Sequence, residues 1–310
     1  MISSEILKNS FISGAENIAK HTAEVNSINV FPVPDGDTGT NLSLTLTGCA
    51  EKIKHLPEMA AGELADRIAG ELFRSARGNS GVIFSLIFKG FAQSVKDLEF
   101  IDALSLAKGL EAGCNEAYSA IDKPMEGTIL TVIRLAASKA ISAASKGKSA
   151  QETFIEAVNG ARVSLKSTPN LLPMLKKHGF VDAGGQGLVY IMEGMLESQK
   201  NITFIKTEEK KQPVVSDSEI KFIYCTEFLI NGSNNADLKL FRNFLSEIGD
   251  CPAVAEHSGI IKVHVHTNDP DKAIGKALEL GELSDVKIDN MRLQNQNGAN
   301  QWNSTQASNI

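Results

Sequence analysis

The stretch that most limits what this chain can fold into is Asn29-Val30-Phe31-Pro32-Val33-Pro34-Asp35-Gly36-Asp37-Thr38-Gly39-Thr40-Asn41. Pro32 and Pro34 stiffen the approach and remove two backbone donors, so the segment belongs neither to a helix interior nor to a central strand. Gly36 and Gly39 permit turns that a β-carbon would block. Asp35 and Asp37 can then direct two carboxylates at one spot. Two or three oxygens on a rigid turn, with other positions left to water and phosphate, suit Mg²⁺ beside a nucleotide. The same tripeptide taken alone also fits an ordinary solvated Asx turn.

Around this loop the sequence is helical. Residues 5–22 carry apolar side chains at helical spacing, and so do 41–53, 60–75, 82–95, 100–119, 128–144 and 150–166. Thr168-Pro169 and Leu172-Pro173 are expected to interrupt the chain after the last of these, before a final helix over 188–199. About eight helices and no clear strand give an all-α first domain. Several helices start on small residues. Asn79-Ser80-Gly81 follows Arg77-Gly78, Thr128 follows Gly127, and Asp182-Ala183-Gly184-Gly185-Gln186-Gly187 puts three glycines in four positions. Each is a normal cap sequence. Each also lets backbone N–H groups approach an anion.

After a charged stretch around Glu208-Glu209-Lys210-Lys211 the pattern changes to short apolar runs separated by turns. Strands are expected near 222–230, 253–256, 260–267 and 286–291, with helices near 237–248 and 270–280. The order β-α-β-β-α-β points to a small α/β ferredoxin-like sandwich. His264 and His266 lie two apart on one strand and share a face with Lys262, while Ile261, Val263 and Val265 take the other. His-x-His with a thiolate such as Cys225 can chelate zinc, or the residues can form a polar sheet face. His257 is a spare ligand candidate, and no fourth ligand is evident. The domains are read as 1–203, a linker at 204–219, 220–293, and a tail at 294–310 in which nine of 17 residues are Asn or Gln and none is charged.

Composition narrows the function. A net charge of −6, one Trp and three Tyr argue against a nucleic-acid partner. No apolar run approaches the length of a membrane span and no leader precedes the first helix, so a cytoplasmic protein is expected. Cys49, Cys114, Cys225 and Cys251 are scattered and, in that compartment, reduced. Cys49 and Cys114 fall in helical patterns as small core residues.

Four blocks taken in order, the 29–41 loop, Ala76 to Gly81, Lys123 to Thr128 and Val181 to Gly187, resemble the nucleotide-binding L-domain of the dihydroxyacetone kinase superfamily, most nearly its bacterial fatty acid kinase branch. The resemblance implies an eight-helix barrel with ATP at one end. It places Mg²⁺ on Asp35 and Asp37, which act as the catalytic acids. Asn29 stands where the superfamily has a third acid. It puts phosphates against Thr38, Thr40, Asn41, Asn79, Ser80 and Gly81, and the adenosine end at Gly127, Thr128, Asp182, Ala183 and Gly184. It also implies a zinc site at Cys225, His264 and His266. The implied reaction transfers the γ-phosphoryl group of ATP to a fatty acid carboxylate held by a separate acyl-binding partner, and a homodimer is compatible with it. A dihydroxyacetone kinase-like chain is the alternative acceptor chemistry, and a nucleotide-binding module without activity is the other. Fatty acid kinases of this type continue into a further domain where this sequence has its Asn/Gln-rich tail, so docking of the acyl carrier is the least secure of these expectations.

Overall fold

The computed structural model describes residues 1–121, 123–198, 220–232 and 237–293. The expected linker at 204–219 and tail at 294–310 lie outside the described residues. The chain divides into two units.

The first unit is helical, with ten helices among its described residues: α1 (Ser4–Lys20), α2 (Thr22–Ser27), α3 (Thr38–Ile53), α4 (Ala61–Ser75), α5 (Gly78–Val95), α6 (Ala103–Ala120), α7 (Ile129–Ser145), α8 (Ala150–Leu171), α9 (Pro173–His178) and α10 (Ala183–Glu197). Eight are long. The two short ones, α2 and α9, span six residues each. The central helix is α3. Its Leu42, Leu46, Cys49 and Ile53 are fully buried at helical spacing, and it packs against α1, α4, α5 and α10. Cys49 and Cys114 are buried as expected, and burial pushes the Cys114 thiol up to about 11.

Two helix boundaries differ from the sequence reading. The helix expected from Asn41 already begins at Thr38. The helix expected to stop near 166 runs through Pro169 to Leu171. Proline at 169 removes the backbone donor that would reach the Leu165 carbonyl, but the Thr168 hydroxyl donates to that carbonyl at 2.7 Å. The side chain satisfies the acceptor, so the helix continues.

The second unit has the order β1 (Tyr224–Asn231), α11 (Leu238–Ile248), β2 (Gly249–His257), β3 (Ile260–Thr267), α12 (Pro270–Leu278), β4 (Glu282–Asn290). Its four strands form one antiparallel sheet in the order β2-β3-β1-β4. This is the expected β-α-β-β-α-β succession. One sheet face, with Phe228, Ile230, Val254, Ile261, Val263 and Val265, makes a core with Phe241 and Leu245 of α11 and Ala273 and Ala277 of α12.

The proline loop departs from the expected domain boundaries. Pro32–Gly36 groups with the second unit and Asp37 onward with the first. Val33 packs against Ile220, Cys225 and Met291. An extended segment lacking two N–H donors cannot be absorbed by a helical bundle, and its one apolar side chain finds cover beside the sheet.

Candidate functional site

The residues singled out in the first unit gather around the first turns of α3. Asp37 is the N-terminal flanking residue of α3, and its carboxylate makes no capping bond. Its carbonyl accepts from Asn41 N at 2.8 Å. Asn29 is buried, and its Oδ1 accepts a short hydrogen bond from the Thr38 hydroxyl. Thr38 is therefore turned toward Asn29. Asn26, which the sequence reading missed, fixes Thr40 from two sides. Its Nδ2 donates to Thr40 Oγ1 at 2.9 Å and its Oδ1 accepts from Thr40 N at 3.1 Å. Gly39 is a correction in kind. It lies inside α3, and its value is space. A β-carbon there would stand 2.3 Å from the Thr22 carbonyl.

Three other helix N-termini meet this one. Gly78 opens α5 at φ 58°, and a β-carbon on it would stand 2.2 Å from Asn41 Nδ2. Arg77 N donates to Thr45 Oγ1 at 3.0 Å, and Gly81 leaves room for that same hydroxyl, which a β-carbon would approach to 2.3 Å. Asn79-Ser80-Gly81 is thereby set against α3, and Thr45 is a second positioning residue that the sequence did not disclose. Gly187 of α10 makes the close approach to Leu42 of α3, at 2.3 Å from Cδ1 for a β-carbon. Gly184 of α10 faces Ile129 at the start of α7. The starts of α3, α5, α7 and α10 thus lie at one end of the helical unit. Each brings unpaired N–H groups and the positive end of a helix dipole.

The turn before α7 is held from outside. Glu126 accepts from Arg134 at 2.7 Å, from the Thr131 hydroxyl at 2.7 Å and from Tyr118 at 2.9 Å. Gly127, at φ 88°, donates its N–H to Thr131 Oγ1 at 2.7 Å. Thr128 caps the helix through Leu130 N and donates its hydroxyl to the Met125 carbonyl.

Asp182 caps α10, accepting from Gly185 N at 2.7 Å. Burial pushes its carboxyl up to about 7, against the backbone N–H groups of Gly185 and Ile129, which favour the anion. The folded protein therefore keeps a proton on Asp182 that the unfolded chain releases at ordinary carboxylate pH. Stability from this group is full in acid, falls as pH rises toward 7, and is level above that. Asp182→Asn keeps the cap acceptor and removes the charge. Its melting temperature should change less than the wild type's between pH 5 and pH 8, and thermal melts at those two values check this.

Asp35 stands apart from Asp37 in the division of the chain, since it belongs with the second unit. In that unit the sheet face opposite the apolar core is polar and buried. Glu227, Lys262, His264 and His266 are each at most 3% exposed. Cys225, His264 and His266 offer ligand atoms all within 4.8 Å of one another, and Asp250, Cys251 and His266 form a second such group. His264 Nε2 and His266 Nε2 are 3.1 Å apart, and Cys225 Sγ is 3.6 Å from His264 Nδ1. His257 belongs to neither group. Beside them Lys287 forms a close ion pair with Asp289. Burial works against the Lys287 charge, but Asp289, then Glu227 and Cys225, hold the ammonium above its ordinary range.

A DAK2 domain model matches residues 32–197. The chain belongs to the DAK2 domain family. A second model, for the middle domain of FakA-like fatty acid kinase proteins, matches residues 221–298. The chain is 39% identical over 308 residues to an uncharacterized protein of Staphylococcus saprophyticus, covering 94% of this chain and 56% of that protein. It is 38% identical over 300 residues to protein YloV of Bacillus subtilis, covering 91% of this chain and 54% of YloV. The chain thus spans about half the length of the curated relatives it matches. Among solved structures it is similar to the dihydroxyacetone kinase from C. freundii in complex with AMP-PNP and Mg²⁺, at 19% identity and a TM-score of 0.47, over 62% of this chain and 33% of that one. No helix among the described residues is long and apolar enough to cross a membrane.

Proposed function

We propose that this chain is the nucleotide-binding part of an ATP- and Mg²⁺-dependent phosphotransferase whose acceptor is a fatty acid carboxylate presented by a separate acyl-binding protein. The observation that carries this reading is the meeting of four helix N-termini at the first turns of α3, each glycine-lined where backbone comes close. Such an end favours a polyphosphate, and the family membership and the middle-domain match favour this chemistry over other anions.

The residues divide the task. Asn29, Asp35 and Asp37 would hold Mg²⁺. The ion would supply charge neutralisation on the β- and γ-phosphates. An amide in place of a third acid leaves that site less negative. Thr40 and Asn41, with the Thr38 backbone and Asn79 to Gly81, would line the phosphates. Gly127, Thr128 and Asp182 to Gly184 would meet the adenosine end. A carboxylate oxygen attacks the γ-phosphorus, the bond from that phosphorus to the β,γ-bridging oxygen breaks, and ADP leaves. The acceptor is already an anion, so no general base is required, and positioning carries the catalysis. In the second unit Cys225, His264 and His266 would hold zinc. One sulfur and two imidazole nitrogens at these separations suit its tetrahedral preference.

Titration calorimetry with ATP, with and without Mg²⁺, tests the reading. Binding that requires the metal is the expected result, and the absence of nucleotide binding in a folded sample would overturn it. Acyl phosphate formed with a fatty-acid-loaded carrier, and none with dihydroxyacetone, would fix the acceptor class.

A further inference from the structure

The two histidines of the second unit are arranged in a matching way. His264 Nδ1 meets Glu227 Oε1 at 2.9 Å, with both side chains buried. His266 Nδ1 meets Asp250 Oδ1 at 3.3 Å. The strands fix these partners. Glu227 lies opposite His264 in the β1–β3 pairing, and Asp250 lies opposite His266 in the β2–β3 pairing. A carboxylate accepts, so each imidazole places its proton on Nδ1 and leaves a lone pair on Nε2. The two Nε2 atoms then face each other at 3.1 Å. Two lone pairs that close, in a buried site, repel unless a cation stands between them. Ligand bonds of roughly 2.0–2.1 Å at tetrahedral angles separate two nitrogens by about 3.3 Å, close to the bite found here. Cys225 Sγ also lies near His264 Nδ1, at 3.6 Å, but the nearer carboxylate is the stronger acceptor for that proton.

From this geometry we infer that Glu227 and Asp250 are positioning residues that set His264 and His266 to bind a divalent metal through Nε2, with Cys225 as the thiolate ligand. The inference rests on the metal reading of this unit given above. It adds that two carboxylates, one on each neighbouring strand, select the tautomer and hold each ring. Such partners raise ligand basicity, and removing one typically weakens metal binding about 10- to 100-fold.

The test uses the full chain with Zn²⁺ or Co²⁺ alone as the probe. Metal affinity is measured by competition with a chelator, the Co²⁺ spectrum reports thiolate and imidazole ligation, and long-range ¹H–¹⁵N spectra of the histidine rings report which nitrogen binds. Wild type is expected to take up one ion on Nε2 of both rings with a thiolate-to-cobalt band. Glu227→Ala should bind about 10- to 100-fold more weakly, and Glu227→Gln, which keeps an acceptor oxygen, less so. Asp250→Ala should act in the same direction. Its side chain is 41% exposed, so this variant keeps the test open if the buried Glu227→Ala does not fold. Wild-type affinity in both alanine variants, while Cys225→Ser loses the metal, would overturn the positioning role and leave the metal site standing. Coordination of His264 through Nδ1 would do the same. A wild-type chain that takes up neither ion would overturn both.

Discussion

Asp37→Asn should remove Mg²⁺-dependent ATP binding while leaving the fold intact. The two side chains are nearly isosteric, and Asn is as good as Asp at a helix N-terminus. The carboxylate of Asp37 makes no capping bond, and the contact that starts α3 runs from Asn41 N to the Asp37 carbonyl, which the substitution keeps. What is lost is one full negative charge where the proposed site already counts an amide, Asn29, among its three oxygen donors. Losing a contact to a charged group costs up to about 3 kcal/mol, which corresponds to roughly a 100-fold rise in Kd for the metal–nucleotide complex. Calorimetry with ATP and Mg²⁺ reads the loss, and a melting curve on the same sample should stay within about 2 °C of wild type, since surface changes away from packed features are small. Asp37→Asn that binds Mg-ATP as wild type does would remove Asp37 from the metal set. Asp35→Asn probes a residue that belongs to the other unit, so the two variants separate the contributions of the two halves of the loop.

The fold was legible in the sequence where a local pattern decided it. The 3.6-residue apolar spacing of α3 and the period of two in β3 are local signals, and both elements stand where the sequence puts them. Pro169 misled because its usual effect was cancelled by its neighbour, the Thr168 hydroxyl. That compensation is readable only when the side chain is seen bonded. Gly39 was legible as a needed glycine but for the wrong reason, since the obstruction comes from Thr22, seventeen residues away in sequence. In the candidate site, residues with a local motif stood out and their supports did not. Asn26 and Thr45 act across helix pairs that only the packing brings together. Glu227 left a trace, since it follows Cys225 by two residues and so shares its strand face. Asp250 left none, because its partner His266 is set by the pairing of β2 with β3.

Gly39→Val carries the largest expected loss of stability. Gly39 is in the first turn of α3, where the Thr22 carbonyl would lie 2.3 Å and the Val25 β-carbon 3.0 Å from any β-carbon added to it. The nearest obstacle is a backbone atom of α2, which cannot rotate away. The Asn26 side chain, 2.8 Å from the same point, is itself held by two hydrogen bonds to Thr40. Relief therefore requires α2 and α3 to separate, and that breaks the Asn26–Thr40 bonds and moves Asp37 and Asn29 with them. Overpacking of this kind costs about 3 kcal/mol, and β-branching adds a small helix penalty. For a unit of this size the melting temperature should fall by about 6–12 °C. The contrast with Gly147 is the control. Gly147 has φ 74° but nothing within 4 Å of an added β-carbon, so Gly147→Ala meets backbone strain alone, of the order of 1 kcal/mol. If the two variants melted alike, close approach of α2 to α3 would not be what Gly39 provides. If Gly39→Val melted far lower and lost ATP binding below its transition, then the geometry of the α3 start and the binding of nucleotide would share one support.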